Sequence, residues 1–221
     1  FPYTTLFRSD RADGAQNVPT GRYVAMGTEL TVAPVANQGT GVIVGTTFGD
    51  NLNGTYTVGD TAVTLSAAVE LTLNEGVSAV LKSDNTPVAS GKYVKAGESN
   101  LLTITVDEDY GTAAIDLAQA GGLKHVDSSD AITGDMSTST ENIDLYAAAQ
   151  VNLLSSVSSL YYVGTRNHIP VADDSYIISG VTLYSADATS VAQVDGGRVD
   201  YTTSEGELTF VTSNEDVNLS K

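Results

Sequence analysis

The stretch LLTITVDEDYGTAAIDL, residues 101–117, decides the fold class. Apolar and polar residues alternate over Leu101–Val106, the acidic turn Asp107–Gly111 follows, and Thr112–Leu117 resumes the strand pattern. Such alternation places the apolar side chains on one face of a half-buried strand. An Asp- and Gly-rich segment between two such runs is typical of a turn. The stretch therefore predicts two β-strands joined by a short connection.

The same pattern extends toward the N-terminus, where further short runs have strand character and Gly, Asn, Asp or Pro stand between them. These runs are Glu29–Val35, Gly41–Thr47, Ala62–Leu65, Ala68–Leu73 and Val77–Lys82. The triplets at 21–23, 54–56 and 91–93 each place Gly two residues before Tyr, which suggests similar entries from a turn into a strand, with the Tyr ring packing on the sheet. Short strands at near-regular spacing predict an antiparallel sandwich or barrel.

The C-terminal part has a different character. Asp127–Asn142 is rich in Ser, Thr and Asp and predicts a loop or linker. Thr138 and Glu141 fit a capping box. Apolar residues then recur at spacings of three and four residues, which predicts one helix at about 142–161; they are Ile143, Ala147, Val151, Leu154, Val157 and Tyr161.

The tail returns to strand patterns at Tyr176–Tyr184, Arg198–Thr203 and Glu207–Thr212, and the last two predict a hairpin. The predicted fold class is all-β, an antiparallel β-barrel or sandwich with a mainly β C-terminal extension that contains the one helix. The predicted segments are a polar arm at 10–21, a β-barrel domain at 22–118, a linker at 119–141 and the extension or second small domain at 142–221.

Residues 1–9, FPYTTLFRS, resemble the in-frame translation of a widely used DNA sequencing adapter at every position. We therefore interpret them as an artefact of bulk-sequenced DNA and exclude them from fold reasoning. This interpretation leaves the true N-terminus and any signal peptide undefined. It predicts no packed role for residues 1–9.

Composition limits the classes of partner. The chain of 221 residues has 27 acidic and 10 basic side chains, a formal net charge of −17, and no cysteine. A surface this acidic repels phosphate backbones, so we expect no nucleic-acid binding. The lack of cysteine excludes disulfides and thiol chemistry. No apolar run approaches the roughly 20 residues that span a bilayer, so we expect no membrane partner.

Motifs for catalysis are weak. The two histidines, His125 and His168, lie outside any hydrolase or metalloprotease motif. Adjacent carboxylates occur at Asp107–Asp109 and Asp173–Asp174, but neighbours in a strand face opposite ways and neighbours in a turn face water. General acid–base work needs groups that converge across a cleft. The lack of Trp argues against a carbohydrate-active enzyme. We expect no enzyme, no catalytic residues and no cofactor.

Two loops have a composition that could suit a ligand. Asp50–Gly54 offers oxygen atoms before a glycine, as calcium loops do, but it lacks their regular spacing and distal Glu, so a turn is the favoured interpretation. Gly39–Gly41 with Gly45 is Gly-rich, but it lacks the Lys and the following helix of a phosphate-binding loop. No metal-binding residues are assigned.

The segment LTVAPVANQGTGVIVGTTFG, Leu30–Gly49, resembles the N-terminal part of a family of small bacteriophage capsid decoration (cement) proteins, whose members often carry a misleading recombinase label. The family pattern continues with two V-x-L strands, which Val63–Leu65 and Val69–Leu71 match in order. The resemblance covers about 22–117. The chain departs from the family in lacking an aromatic strand before the turn at Asp84 and in carrying about a hundred extra C-terminal residues.

The resemblance implies a compact β-barrel that binds the outer capsid surface of a virion, commonly as a homotrimer. Its partner is the major capsid protein, and its action is mechanical, because each copy bridges capsid subunits and buries additional interface. The alternative is a bacterial cell-surface or adhesin module with Ig-like sandwiches, extracellular and stabilised by calcium. Gly54–Val58 resembles a strand of such domains, and the acidity suits calcium.

Overall fold

A computed structural model describes backbone and side chains for residues 20–119, 130–151 and 171–178, and elsewhere mainly the backbone of short strands. The described part of the chain is all-β and contains no helix. The strands in chain order are β1 Phe7–Ser9, β2 Gln16–Val18, β3 Glu29–Val32, β4 Gly41–Val44, β5 Phe48–Gly49, β6 Gly54–Thr57, β7 Leu65–Leu73, β8 Val77–Leu81, β9 Lys92–Lys95, β10 Leu102–Val106, β11 Ala113–Asp116, β12 Asp127–Ser128, β13 Gly134–Met136, β14 Ile143–Leu154, β15 Leu160–Tyr162, β16 Ile169–Pro170, β17 Ser175–Ile178, β18 Thr182–Ser185, β19 Ala192–Asp195, β20 Arg198–Thr202, β21 Glu207–Val211 and β22 Val217–Ser220.

Most predicted strands are confirmed, each within a few residues of its predicted bounds. They correspond to β3, β4, β8, β10, β11 and the antiparallel pair of β20 and β21. The strand predicted at Ala68–Leu73 lies within β7, whereas only Leu65 of the strand predicted at Ala62–Leu65 belongs to β7 and residues 62–64 are not in a strand. The single strand predicted at Tyr176–Tyr184 is instead two, β17 and β18, and the residues between them lie outside the described part.

The helix predicted at about 142–161 is wrong over its first part, because Ile143–Leu154 forms the strand β14. Its buried side chains include Ile143, Leu145, Ala147, Ala149 and Val151, which recur at every second residue. That period is the period of a strand. Two antiparallel neighbours, β11 and β17, supply its backbone hydrogen bonds. Residues 155–159 lie outside the described part, and residues 160–161 belong to β15.

The architecture is that of several open sheets. None of the described sheets closes into a barrel, so the sandwich-like alternative fits and the barrel does not. Clustering of contacts divides the chain into unit 1, Phe1–Thr72, Val80–Thr103 and Asp135–Ile143, and unit 2, Leu73–Ala79, Ile104–Gly134 and Asp144–Lys221. Both units are discontinuous in sequence, whereas the segments predicted from the sequence are contiguous.

Unit 1 contains two sets of antiparallel strands. In one set β3 pairs with β6. In the other, β7 pairs with β4 through its first half and with β9 through residues 68–71, and β5 pairs with β9. A buried cluster of Leu30, Val32, Val42 and Leu65 joins these strands. Each fully buried aliphatic side chain of this kind contributes about 1.5–3 kcal/mol.

Unit 2 is built around β14, which pairs with β11 at residues 145–148 and with β17 at residues 148–151. Its core includes Ile115, Leu117 and Ala148, with Tyr146 and Tyr176 packed against them. Residues 147–149 are all alanine, and the backbone at Gly111 lies close to the backbone of Ala148. A Cβ added to Gly111 would lie 2.4 Å from the carbonyl oxygen of Ala148.

The first residues have a backbone partner. In β1, Phe7 is opposite Val18 of β2 and Arg8 is opposite Thr31 of β3. Residues 7–9 therefore belong to a sheet by backbone pairing, whereas the expectation that residues 1–9 take no packed role concerns their side chains and stays a prediction. Residues 1–6 and the side chains of 7–9 lie outside the described part.

Candidate interaction surface

The antiparallel pair of β3 and β6 has one free edge among the described residues, because β6 pairs only with β3. The backbone N–H of Val58 donates to Thr28 O at 2.9 Å and its C=O accepts from Gly27 N at 2.8 Å, so both polar backbone groups of Val58 point toward β3. Hydrogen-bonded and non-hydrogen-bonded pairs alternate along an antiparallel ladder. In the observed register, residues 56 and 54 therefore bond to β3, whereas the N–H and C=O groups of Thr55 and Thr57 point away from it.

The two faces of this strand pair differ in burial. Tyr56 and Val58 pack against the buried cluster of unit 1. Thr55 and Thr57 are exposed, as are Glu29 and Thr31 on the neighbouring strand. The alternation follows from the strand period of two. One face of the strand pair therefore belongs to the core, and the other exposes threonines and one carboxylate to solvent.

Two large side chains in the segment that leads into β3 are unusually exposed. Tyr23 is fully exposed and Met26 is 73% exposed. Val24, between them, packs on the buried cluster of unit 1 and so fixes the segment in place. The N–H of Gly27 donates to Val58 O at 2.8 Å, which holds Met26 close to the end of β6. Tyr and Met are enriched at protein–protein interfaces. We define the interaction surface as Tyr23, Met26, Thr55 and Thr57.

Other exposed apolar side chains of unit 1 are smaller. They are Val35, Val44 and Val63. Val44 is paired with Leu65, and Gly45 N donates to Thr64 O at 2.8 Å just beyond it. Scattered valines of this kind are common on protein surfaces and mark no site by themselves.

Carboxylates dominate the charge of the protein as a whole. Among the described side chains, ion pairs join Lys82 to Asp135, Lys92 to Asp50 at 2.5 Å and Lys95 to Glu98 at 2.6 Å. Exposed pairs contribute little to stability. Since acidic residues outnumber basic ones by 17, at least that many lack a basic partner in any one-to-one pairing. A protein partner with positive charge is electrostatically favoured.

The loop Asp50–Gly54 is a turn built on Asn51. Its Oδ1 accepts hydrogen bonds from Asn53 N at 2.9 Å and from Val42 N at 3.2 Å. The first of these is an Asx turn. Asp50 is paired with Lys92. One side-chain oxygen of Asp50 and that of Asn51 are thus bonded to protein donors, which agrees with the turn interpretation.

Tyr93 lies beside this loop and closes over Gly41. A Cβ on Gly41 would lie 2.4 Å from Cε1 of Tyr93, so the ring occupies the space that any side chain would need. The Tyr93 hydroxyl donates to Glu70 Oε2 at 3.3 Å. Partial burial, followed by the negative charge of Glu70, raises the pKa of Tyr93 above its usual value. The second glycine of the Gly39–Gly41 segment therefore serves packing.

Unit 2 repeats this arrangement at the turn Asp107–Gly111. The ring of Tyr110 lies against Gly76, where an added Cβ would be 2.2 Å from Cγ of the ring. Its hydroxyl donates to Glu75 Oε1 at 2.7 Å, and this bond raises the pKa of Tyr110. Asp107 N donates to Gly76 O at 2.9 Å. The adjacent carboxylates belong to a turn that tyrosine and glycine hold in place.

The most buried carboxylate of the described residues with a shifted pKa is Asp116, at the end of β11. Its Oδ1 accepts from the N–H groups of Ala118 and Asp144, both at 3.0 Å, whereas its buried Oδ2 has no partner among the described residues. Burial is the main cause that raises the pKa of Asp116. Asn74 in turn donates to Asp144 Oδ1 at 2.8 Å. The hydrogen bond from Asp144 N to Asp116 links the end of β11 to the start of β14.

The remaining predicted residues fall in separate places. His125 and His168 lie outside the described residues. Asp173 and Asp174 form a turn in which Asp174 has a positive φ of 61° and accepts a hydrogen bond from the Gln150 side chain. Within the described ranges, no three His, Cys, Asp or Glu side chains come together in a way that could hold a metal ion.

A groove of about 180 Å³ is present in unit 1. Its polar lining includes Gln38, Ser66, Lys95 and Thr140. Pockets for small molecules usually measure about 300–1,000 Å³. The groove is below that range, and Lys95 is already paired with Glu98. It is a weaker candidate than the interaction surface.

The sequence did not reveal the hydrogen-bond partners of Tyr93, Thr138 or Asp116. Thr138, predicted as a helix cap, is buried; its hydroxyl donates to Lys95 O at 2.7 Å and accepts from Glu98 N at 2.9 Å. A threonine in a Ser/Thr-rich run carries no signal for partners some forty residues away. Asp116, in contrast, sits in an otherwise apolar strand, which is a signal that sequence reading can use.

No family model, curated protein or solved structure matches the chain in the three comparisons that were made. In the part of the chain that the structure describes, no helix has the length and apolar character required to cross a membrane.

Proposed function

We propose that the chain is a virion structural protein that decorates a bacteriophage capsid by binding the major capsid protein. The observation that carries the proposal is the exposure of Tyr23 and Met26 in the segment that the hydrogen bond from Gly27 to Val58 holds at the end of β6. Val24 anchors this segment to the core, so both side chains are presented from an ordered base. The likeness of Leu30–Gly49 to decoration proteins supports the same function, and this segment contributes β3, β4 and β5.

The mechanism is interface burial. Covering an exposed Tyr or Met side chain contributes about 1.5–3 kcal/mol each. An acidic protein is steered toward positively charged patches of its partner, which speeds association at low salt. Binding that occurs only to the assembled shell stabilises that shell by mass action. A homotrimer, as the resemblance implies, multiplies the effect because linked sites bind with higher avidity.

The test is cosedimentation of the purified chain with capsids assembled from the major capsid protein encoded on the same DNA. We expect the chain to sediment with capsids and to raise their melting temperature. The double variant Tyr23→Ser with Met26→Ser should bind roughly 100-fold more weakly, because two apolar contacts of about 1.5 kcal/mol each are lost.

Val63→Ser is the matched control, since Val63 is another exposed apolar residue of the same unit that lies outside the interaction surface. It should bind like the unsubstituted chain. Both variants should retain the melting temperature of the free protein, because neither removes a buried side chain. Failure of the folded chain to bind capsids, or equal binding by the double variant, contradicts the proposal.

A further inference from the structure

The free edge of β6 carries an ordered set of unused hydrogen-bonding groups. The register with β3 directs the N–H and C=O of both Thr55 and Thr57 outward. Among the described residues, neither hydrogen bonds nor strand pairs engage these four groups. Two donors and two acceptors spaced along a strand are the pattern that an added strand satisfies.

This edge also lacks three of the features that usually prevent such pairing, namely a charged side chain, a proline and a bulge in the edge strand itself. Natural edge strands are protected by charged side chains, by Pro or by bulges. The segment 51–59, NLNGTYTVG, contains no charged residue and no Pro, although the whole chain has a net charge of −17. The register is regular over Glu29–Val32 and Gly54–Thr57, and the bulge that begins beyond it, where Gly27 and Thr28 both bond to Val58, lies on the side of β3 and not at the free edge. The edge is short, and it is open to pairing.

The charges around the edge identify the kind of segment that fits. Glu29 lies opposite Thr57 and is exposed on the same face, and Asp60 follows two residues after Val58. Strands in a sheet lie about 4.8 Å apart, so a strand added to β6 lies about 10 Å from β3. A lysine or arginine on that strand, directed to the exposed face, can span this distance to Glu29. At this edge a basic segment of a partner is favoured over a strand of a second copy, because the second copy brings another 17 negative charges.

We propose that the edge of β6 binds an extended segment of a partner protein that bears Lys or Arg, as an added β-strand. This inference rests on the proposed function for the identity of the partner, the major capsid protein. The segment of Tyr23 and Met26 is held at the end of β6 by the bond from Gly27 to Val58, and these exposed side chains are available to apolar side chains of the same partner. The uncharged strand gives pairing, and the acidic rim gives selectivity for basic segments.

The central variant is Thr55→Pro. Because the N–H of Thr55 points away from β3, Pro removes an outward donor and adds a ring at the edge without removing a hydrogen bond to β3. Thr55→Val is the matched control, since it changes the side chain and keeps the backbone groups. Thr57→Lys is a second blocking variant, which opposes a basic segment by charge and keeps all hydrogen bonds to β3.

The first experiment uses a capped seven-residue peptide that alternates threonine and lysine, and an otherwise identical peptide with glutamate in place of lysine. We expect the lysine peptide to slow amide exchange of Thr55 and Thr57 by tenfold or more at saturation, and the glutamate peptide to have no effect. Thr55→Pro and Thr57→Lys should each weaken peptide binding by roughly tenfold or more, equivalent to 1.4 kcal/mol. Thr55→Val should bind normally, and Glu29→Gln should reduce the dependence of binding on salt.

The second experiment measures the same amides in capsid-bound chain. Protection of Thr55 and Thr57 that is lost in Thr55→Pro supports the inference. Capsid binding that Thr55→Pro and Thr57→Lys leave unchanged overturns it and leaves the proposed function standing. Protection by the peptide in a chain that binds no capsid supports the edge as a strand-binding site and contradicts the proposed function. Unchanged exchange with the lysine peptide overturns the inference.

Discussion

Replacement of Gly41 by Ala is expected to destabilise unit 1 by about 2 kcal/mol. The new Cβ would lie 2.4 Å from Cε1 and 2.6 Å from Cδ1 of Tyr93, and 2.8 Å from Oδ1 of Asn51. An ordinary carbon–carbon contact is about 3.5 Å, so the ring has to move by roughly 1 Å. Overpacking of this kind costs about 1–3 kcal/mol. The movement also lengthens the bond of 3.3 Å from Tyr93 to Glu70, which adds a smaller loss.

Urea unfolding followed by far-UV circular dichroism measures this loss, and thermal unfolding should show a decrease of about 4–8 °C. Gly59→Ala is the control, because no atom lies within 4 Å of its added Cβ and its φ is not in the left-handed region. We expect that control to change the free energy of unfolding by less than about 1 kcal/mol.

The cause can be isolated with Tyr93→Ala. In that background the ring is absent, so Gly41→Ala should cost less than about 1 kcal/mol, and the double-mutant cycle should give a coupling energy of at least that size. The reasoning is refuted if Gly41→Ala is as stable as Gly59→Ala, or if its cost is the same with and without the tyrosine ring.

Three further predictions concern buried polar groups and calcium. Thr138→Val should lower the free energy of unfolding by about 1–3 kcal/mol because two backbone groups lose the hydroxyl as partner, whereas Thr138→Ser should lose much less; equal losses in urea unfolding would contradict this. Burial raises the pKa of Asp116 in the folded state, so its contribution to stability falls as pH rises from about 4 through the folded pKa. Asp116→Asn should remove that decrease in a series of thermal melts between about pH 3 and 7. If the melting temperature of the variant depends on pH as that of the unsubstituted chain does, the raised pKa of Asp116 is contradicted. Calcium added to chelator-treated protein should leave the melting temperature unchanged because protein donors already occupy Asn51 in the loop Asp50–Gly54, and an increase would favour the calcium-stabilised surface module.

Strand identity could be predicted where a turn bounded each run of alternating residues. Leu102–Val106 and Ala113–Asp116 formed as expected because alternation and the Asp- and Gly-rich connection favour the same structure. The prediction of a helix at about 142–161 was wrong over residues 143–154 because residues 143, 147 and 151 fit a spacing of four and also a spacing of two. The apolar Leu145 and Ala149, which lie between them and are buried, make the period of two decisive.

The residues of the sites were harder to predict because their partners are distant in sequence. The sequence identified Asp50–Gly54 as a turn, since an Asx turn is local. It could not show that Tyr93 covers Gly41, 52 residues earlier, or that Thr138 bonds to residues 95 and 98. A local pattern assigned Thr138 to a helix cap, but nonlocal strand pairing removed the helix and gave its hydroxyl other partners.

The loop that resembles a calcium site has a structural consequence for the interaction surface. Asn51 bonds to Val42 in β4 and to Asn53 just before β6, so it fixes the point at which the chain enters β6. A strand that slips by one residue exchanges its core face and its solvent face. Such a slip would expose Tyr56, bury Thr55 and Thr57, and reverse which backbone groups point outward. The polar turn therefore determines the geometry of the free edge, and a change at Asn51 should affect partner binding even though its side chain lies outside the interaction surface.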